Sequence, residues 1–252
     1  MVALQAAIQA AIKGGGHKTV LDIGTGTGLL SMIAATAGAN RVFAVEGSPV
    51  MARIAAETLR RNKMAGRVAL LGAMSTSLRV PQDIPEPRPT LLVSEILDSG
   101  LLGERVLPSL RHAIKHLLAP GGCCIPAAAT VIVQCIECPQ LRRQHVLSGD
   151  HASDHAGFGL TQDVVRLWVD EPYTCEQLAN FPHRVLTDSK PILHLRLDGK
   201  DGGTDLVPGK KGSATLRATS TGTSCSSHPR QCYVLTECSL GCLFCFGLCR
   251  NH

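Results

Sequence analysis

The sequence predicts an α/β fold in which a doubly wound, mostly parallel sheet is followed by the start of a β-rich, barrel-like domain. Four short apolar runs typical of buried strands alternate with segments of helical periodicity in the first half of the chain. From residue 127 the pattern changes to β-branched residues and period-two alternation. The predicted boundaries are 1–126 for the first domain, 127–198 for an incomplete β-rich domain, and 199–252 for a tail.

A glycine loop joins the first predicted strand to the helix that follows it. Residues 19–23 favour a strand, and residues 29–37 carry apolar side chains at helical spacing. Gly24, Gly26 and Gly28 lie between them. Because glycine has no Cβ, a ligand can lie directly on this backbone, and the first turn of the helix offers unpaired N–H groups. The loop therefore predicts a site for a nucleotide-like ligand.

The acids around this loop indicate which ligand it binds. The loop has neither the spacing of a dinucleotide fingerprint nor the Gly-Lys-Ser/Thr end of a phosphate-binding loop. Asp22 is a poor neighbour for a pyrophosphate but suits a ligand with an ammonium and a sulfonium group, as in S-adenosylmethionine. Glu46 follows the predicted strand 41–45 and is expected to accept hydrogen bonds from ribose hydroxyls. The alternative is a tight turn followed by a solvated acid.

The cofactor site is expected to extend to the loop after the third strand. Met74 and Ser75 follow the predicted strand 68–71, at the edge where open parallel sheets bind ligands. They are placed to lie along an adenine ring, although an ordinary loop fits these two residues equally well. The candidate cofactor-binding residues are Asp22, Gly24, Thr25, Gly26, Gly28, Leu29, Glu46, Gly47, Met74 and Ser75.

The remaining elements of the first domain follow from periodicity. Residues 1–12 predict a helix before the first strand, without the basic start of a signal peptide. Residues 91–94 are the fourth apolar strand, residues 107–118 predict a helix, and a further strand is expected to begin at Ile125. A covering helix is predicted over 49–62, and the side chains on one of its faces are Met51, Ile54, Ala55, Thr58 and Leu59.

The second domain and the tail are less regular. Residues 128–136 favour a strand, residues 192–197 alternate as a half-exposed strand does, and a helix is expected only over 174–179. Six cysteines crowd the tail, where Cys242 and Cys245 have the spacing of half a zinc site. Their surroundings are too apolar for such a site, so we predict no metal. The tail is interpreted as disordered or non-homologous sequence.

Composition narrows the classes of function. The chain has 252 residues with 44% hydrophobic residues, which is ample for a core, but only 3% aromatic residues and one tryptophan. The net charge of +5 is not concentrated in a basic run, so direct binding to nucleic acid is not expected. No apolar run approaches the roughly 20 residues of a membrane span, so no membrane partner is expected. Cysteines scattered outside the tail favour a reduced cytoplasmic or nuclear location.

Two glutamates follow the fourth strand. Glu95 comes directly after residues 91–94, the strand that is expected to end beside the methyl donor. Glu104 lies nine residues further on. Two carboxylates on one turn can clamp the planar guanidinium of arginine through paired hydrogen bonds. Two solvated loop glutamates are the alternative. A small-molecule or nucleic-acid methyltransferase is disfavoured by the spacing of the two glutamates. The sequence after Ser94 also lacks the Pro-Pro-aromatic pattern expected of enzymes that methylate amino groups of nucleic acid.

These motifs resemble those of the protein arginine N-methyltransferase family, whose fold is Rossmann-like. The matching stretches are 20–31 for the glycine motif, Glu46 for the ribose acid, 95–104 for the paired glutamates and 118–126 for a third motif. The resemblance covers residues from about 5 to 198 and favours the divergent ninth and seventh members. That preference rests on shorter matches at 62–64, 83–85, 137–143, 171–174 and 186–187.

The resemblance implies that Glu95 and Glu104 are catalytic and hold a protein arginine for attack on the methyl group of S-adenosylmethionine. It implies an arginine-containing protein substrate, such as an Arg/Gly-rich segment or a splicing factor, and a symmetric or monomethylated product. It also implies that the domain at 127–198 serves substrate binding or dimerisation, with a dimer or pseudo-dimer in the full-length protein. The family's tyrosine-rich lid helix and Thr-His-Trp loop have no counterpart here, since Trp168 lies in another context. We therefore expect a partial chain. The alternative is an inactive, truncated module of this fold that only binds a partner.

Overall fold

The computed structural model describes residues 2–14, 16, 19–98, 101–141, 175–176, 178–200, 206, 213–217, 232–238 and 243–248. These residues form two sheets, one of five strands and one of six. None of the described helices has the length and apolar character needed to cross a membrane. Residues 171–174, which are one of the shorter matches to the family, lie outside the described residues. So does Trp168, which differs in context from the family's tryptophan.

The five-stranded sheet is parallel throughout. Its strands are β1 (Thr19–Ile23), β2 (Arg41–Val45), β3 (Val68–Leu71), β4 (Leu91–Ser94) and β5 (Cys123–Ile125). The spatial order is β3-β2-β1-β4-β5, so the chain builds outward from β1 in one direction and then in the other. This reversal between β1 and β4 opens a crevice at the carboxyl ends of these strands, where doubly wound folds bind ligands. The predicted fold class is confirmed.

Four helices accompany this sheet. They are α1 (Val2–Lys13), α2 (Leu29–Ala37), α3 (Pro49–Arg61) and α4 (Val106–His112), and α4 continues into a π-helical turn, Ala113–Leu117. Leu4, Ile8 and Ile12 of α1 are buried in one cluster with residues of α2 and the central strands. Burying one such side chain contributes about 1.5–3 kcal/mol, so this cluster fixes α2 and the glycine loop before it.

Two predictions about this sheet and its helices are wrong in detail. Ile54 was expected on the inward face of α3 but is 43% exposed, whereas Ala55 and Leu59 are buried. Helical periodicity identifies a face but not how much of that face the sheet covers. The predicted strand beginning at Ile125 instead ends there as β5, because Pro126 has no N–H to continue the ladder.

The second sheet has the order β7-β11-β10-β6-β8, with β9 also paired to β6. Its strands are β6 (Ala128–Glu137), β7 (Cys175–Glu176), β8 (Arg184–Val185), β9 (Lys190–Arg196), β10 (Cys232–Cys238) and β11 (Leu243–Leu248). The helix expected over 174–179 is absent from the residues described there, which form β7 and a 3₁₀ turn, Leu178–Asn180. An antiparallel hairpin of β10 and β11 lies in the segment interpreted as disordered or non-homologous.

The chain divides into two compact units. One contains Met1–Ala129, His194–Lys210 and Cys238–Gly241, and the other contains Thr130–Leu193, Lys211–Glu237 and Cys242–His252. In the second unit Ile136, Cys138 and Leu141 form a small buried cluster.

The cysteines differ in their oxidation state. Cys123, Cys124 and Cys138 are free thiols. Cys135 is disulfide-bonded and departs from the reduced state that the sequence predicts.

Candidate active site

The glycine loop between β1 and α2 is held against the end of β2. The N–H groups of Gly24 and Thr25 both donate to the Val45 carbonyl oxygen, at 2.9 and 3.0 Å. Gly24, Gly26 and Gly28 have φ values of 73°, 57° and 88°, a left-handed conformation that glycine adopts without steric cost. Gly28 is also the N-cap of α2. The three glycines are therefore needed for the shape of the loop, as the sequence predicts.

Asp22 lies fully buried beneath this loop. Its Oδ2 accepts hydrogen bonds from the hydroxyls of Thr25 and Ser31, both at 2.6 Å. Burial raises the pKa of Asp22 to about 6, although the bonds from Ser31 and Thr25 act in the opposite direction. Its Oδ1 is buried and has no hydrogen-bond partner. An unsatisfied buried acceptor costs about 1–3 kcal/mol, so a cationic donor at this oxygen would stabilise the protein.

Glu46 connects the glycine loop to the start of α3. Its Oε2 accepts from the Gly26 N–H at 2.9 Å, and its Oε1 accepts from the Ser48 N–H at 2.8 Å. Each carboxylate oxygen has a further lone pair, so both can still accept a ribose hydroxyl. Sequence reasoning predicts a ribose contact at this position but gives no indication that the same carboxylate also holds the loop.

Met74 and Ser75 lie beyond β3 on the neighbouring side of the site. A Cβ at Gly47 would lie 2.6 Å from the Met74 sulfur, so the Met74 side chain packs directly against the Gly47 backbone. Met74 remains half-exposed and Ser75 is buried at the start of a 3₁₀ turn. The structure thus brings Met74 next to the residue that follows Glu46. Leu29, another candidate, is 44% exposed at the first position of α2.

The residues present fit S-adenosylmethionine. A Cβ at Gly26 would meet no described atom closer than the Gly24 carbonyl oxygen at 4.0 Å, which leaves this part of the loop open to a ligand. The unsatisfied Asp22 oxygen and the Glu46 carboxylate suit an ammonium group and ribose hydroxyls. A pyrophosphate on this loop would be repelled by the charge of Asp22. Ser31, which is buried and donates to Asp22, was not among the residues predicted from the sequence. The one feature of the sequence that indicates it is a polar residue within an otherwise apolar helix.

Glu95, the first of the paired glutamates, follows a strand that is a neighbour of the strand before the glycine loop. Ile23 at the end of β1 is paired with Ser94 at the end of β4, so Gly24 and Glu95 leave the sheet at the same edge. The Ile96 side chain occupies the space that a Cβ at Gly24 would need. This direct contact between the two loops could not be foreseen, since no local pattern identifies the packing partner of a glycine.

Glu95 and Glu104 are both exposed, and their charges interact. Partial burial raises the pKa of Glu95, and the negative charge of Glu104 raises it further. The loop between them has two non-glycine residues in the left-handed region, Leu101 at φ 67° and Arg105 at φ 60°. Such conformations cost about 1–3 kcal/mol each and are concentrated at functional sites. Two carboxylates whose charges interact are suited to bind one cationic group that donates several hydrogen bonds.

Comparison with known proteins gives similarities along most of the chain. Residues 2–128 match the family model described as ribosomal protein L11 methyltransferase (PrmA). The chain is 38% identical over 215 residues to protein arginine N-methyltransferase 9 of Xenopus laevis, covering 77% of this chain and 25% of that protein. It is 36% identical over 220 residues to arginine N(omega)-methyltransferase of Streptomyces achromogenes subsp. streptozoticus, covering 87% of this chain and 57% of that protein.

A solved structure shows the same fold. The Trypanosoma brucei PRMT1 enzyme-prozyme heterotetrameric complex with AdoHcy matches with a TM-score of 0.64 at 18% identity, covering 97% of this chain and 72% of that chain. At this identity the match concerns the fold alone. The chain spans a quarter of the length of the Xenopus relative and little more than half of the Streptomyces relative.

Proposed function

Because the chain belongs to the protein arginine N-methyltransferase family, and its first half is the methyltransferase domain, we propose that it transfers a methyl group from S-adenosylmethionine to arginine. The observation that carries this proposal is the pairing of Ile23 with Ser94. This pairing supports the proposal because Gly24 and Glu95 both follow it, at the switch point of the sheet. A methyl donor on the first loop and a guanidinium on the second would then be neighbours.

The cofactor supplies an electrophilic methyl group on a sulfonium. Asp22 and the glycine loop would hold its amino-acid end, Glu46 its ribose, and Met74 with Ser75 its adenine. The supporting observations are the unsatisfied Asp22 oxygen, the remaining acceptor capacity of Glu46 and the open backbone at Gly26. The residues that fix the loop, Thr25 and Ser31, would act through Asp22.

The chemical task of Glu95 and Glu104 is to bind and orient the guanidinium. Arginine stays protonated below about pH 12, so its nitrogens are weak nucleophiles. Two carboxylates that accept hydrogen bonds from the group would hold one nitrogen in line with the methyl group. They would also draw positive charge toward the nitrogens that do not react. Since burial and Glu104 raise the pKa of Glu95, the clamp would weaken as the pH falls and Glu95 becomes protonated.

The proposed acceptor is arginine within a protein, such as an Arg/Gly-rich segment or a splicing factor, with a mono- or symmetrically methylated product. In the full-length protein we propose a dimer or pseudo-dimer. One relative is named for methylation of arginine itself, so free arginine is a second acceptor to be tested.

The test measures methyl transfer from labelled S-adenosylmethionine to an Arg/Gly-rich peptide and to free arginine. We expect Glu104→Gln to lower transfer at least about 100-fold, because one half of the charged clamp is lost, while the Kd for S-adenosylhomocysteine changes less than about twofold. Glu57→Gln, at an exposed glutamate of α3, is the matched control and is expected to leave both quantities unchanged.

Two results would count against this assignment. Loss of S-adenosylhomocysteine binding in Glu104→Gln would show that Glu104 belongs to the cofactor site. Cofactor binding by the wild-type chain with no transfer to either acceptor would instead support the alternative of a non-catalytic binding module.

A further inference from the structure

One carboxylate closes the loop that carries Glu104. The Oδ1 of Asp98 accepts a hydrogen bond from the Gly103 N–H at 2.8 Å. The Asp98 carbonyl oxygen accepts a second bond from the Leu101 N–H, also at 2.8 Å. Gly103 directly precedes Glu104, so these bonds tie the start of the loop, next to Glu95, to its end.

The position of Glu104 depends on this backbone. In the described part of the chain the Glu104 carboxylate accepts no hydrogen bond, so the backbone of the loop determines where it lies. That backbone is strained at Leu101 and Arg105, both in the left-handed region. A strained conformation persists only where surrounding contacts hold it. Leu101 and Val106 are buried and anchor the apolar side, and Asp98 supplies the polar contact.

We propose that Asp98 is a positioning residue for methyl transfer, whose carboxylate closes the β4–α4 loop so that Glu104 faces Glu95. The catalytic part of this inference rests on the proposed function. The bond to Gly103 requires an acceptor oxygen at the δ position and does not require a negative charge. Asparagine keeps such an oxygen and alanine does not, which separates positioning from a direct effect of charge on the substrate.

The experiment compares Asp98→Ala and Asp98→Asn in the full chain. It measures kcat and KM for an Arg/Gly-rich peptide, the Kd for S-adenosylhomocysteine, and the hydrogen-exchange rate of the Gly103 amide by NMR. We expect Asp98→Ala to lower kcat about tenfold or more and to accelerate exchange at Gly103 at least about tenfold, because the acceptor for the Gly103 N–H is lost. The cofactor Kd is expected to change less than twofold. Asp98→Asn is expected to keep at least half of kcat and near-native exchange.

Asp83→Ala is the matched control. The Oδ2 of Asp83 accepts the Arg79 N–H at 2.8 Å in another exposed loop, so the same type of contact is removed away from the site. It is expected to change neither kcat nor exchange at Gly103.

The outcomes separate the two ideas. Unchanged Gly103 exchange in Asp98→Ala would overturn the inference. A loss of kcat in Asp98→Asn equal to that in Asp98→Ala would also overturn it, because charge rather than loop closure would then matter. If the wild-type chain transfers no methyl group, the proposed function fails, and exchange at Gly103 alone decides whether Asp98 closes the loop.

Discussion

At the scale of single residues, the buried charge of Asp22 lowers the stability of the fold and is expected to favour the binding of a cationic ligand. Burial raises its pKa from an ordinary 3.8 to about 6, so between these values the folded chain holds a proton that the unfolded chain has released. The stability that this proton contributes is fully present below pH 3.8 and is lost as the pH rises through about 6. At neutral pH the buried charge therefore opposes folding by an amount on the order of 3 kcal/mol.

Asp22→Asn removes this charge and keeps an oxygen for Thr25 and Ser31. Relative to wild type, we expect the variant to gain free energy of unfolding as the pH rises from about 4 to 7, because only the wild-type side chain ionises in this range. We also expect its affinity for S-adenosylhomocysteine at pH 7.5 to fall at least about tenfold, since an anionic partner for the ammonium is lost. Urea unfolding across this pH range and calorimetric titration measure the two effects.

The control is Asp83→Asn, which changes an exposed carboxylate and is expected to leave both measurements close to wild type. If wild type and Asp22→Asn gave parallel stability curves from pH 4 to 7, the charge of Asp22 would not oppose folding. Unchanged ligand affinity would restrict Asp22 to holding the loop.

At the scale of elements, the contact between the two loops predicts that Gly24→Ala impairs the site. The substitution combines a left-handed φ of 73° with a Cβ that would collide with Ile96. The backbone conformation alone costs about 1–2 kcal/mol, and overpacking adds about 1–3 kcal/mol. Because Ile96 is next to Glu95, relief of the collision would displace the acidic loop. We expect the variant to be destabilised and methyl transfer to fall at least tenfold.

Gly121→Ala provides a matched comparison. Gly121 has a φ of 75°, but a Cβ there would meet nothing within 4 Å among the described atoms. Only the backbone cost should remain, so transfer is expected to stay near the wild-type rate. Adding Ile96→Ala to Gly24→Ala should recover part of the lost stability in urea unfolding. If the double variant showed purely additive losses, Ile96 would not be the group that excludes a side chain at residue 24.

The elements also show what a sequence pattern can predict. The bounds of β1 to β4 agree with the strands predicted at 19–23, 41–45, 68–71 and 91–94, because each contains the mainly apolar run that is typical of a strand covered on both faces. β5 has three residues between Gly122 and Pro126, too few to form a pattern, and pairing with β4 defines it. Spacing along the chain identified Glu95 and Gly24 as site residues. Their proximity depends on strand order, and the contact with Ile96 depends on packing, which are both tertiary features.

At the scale of the whole molecule, the doubly wound sheet determines where a ligand binds but not which ligand. The same architecture and switch-point crevice serve dinucleotides and other nucleotides in unrelated proteins. In this chain we expect the discrimination to come from the charge of Asp22, which lies beneath the glycine loop that a pyrophosphate would approach. An adenosine ligand with an ammonium group meets complementary charge there, whereas NAD and ATP meet like charge.

We therefore expect S-adenosylhomocysteine to raise the unfolding temperature of the full chain, and NAD and ATP at the same concentration to leave it unchanged. At 100 times its Kd the first ligand should add about 2.7 kcal/mol to the free energy of unfolding. Scanning calorimetry with each ligand measures this, and Asp22→Asn should lose most of the shift. Equal stabilisation by NAD would mean that the acids do not select the ligand, and the glycine loop would then act as a general nucleotide site despite its sequence.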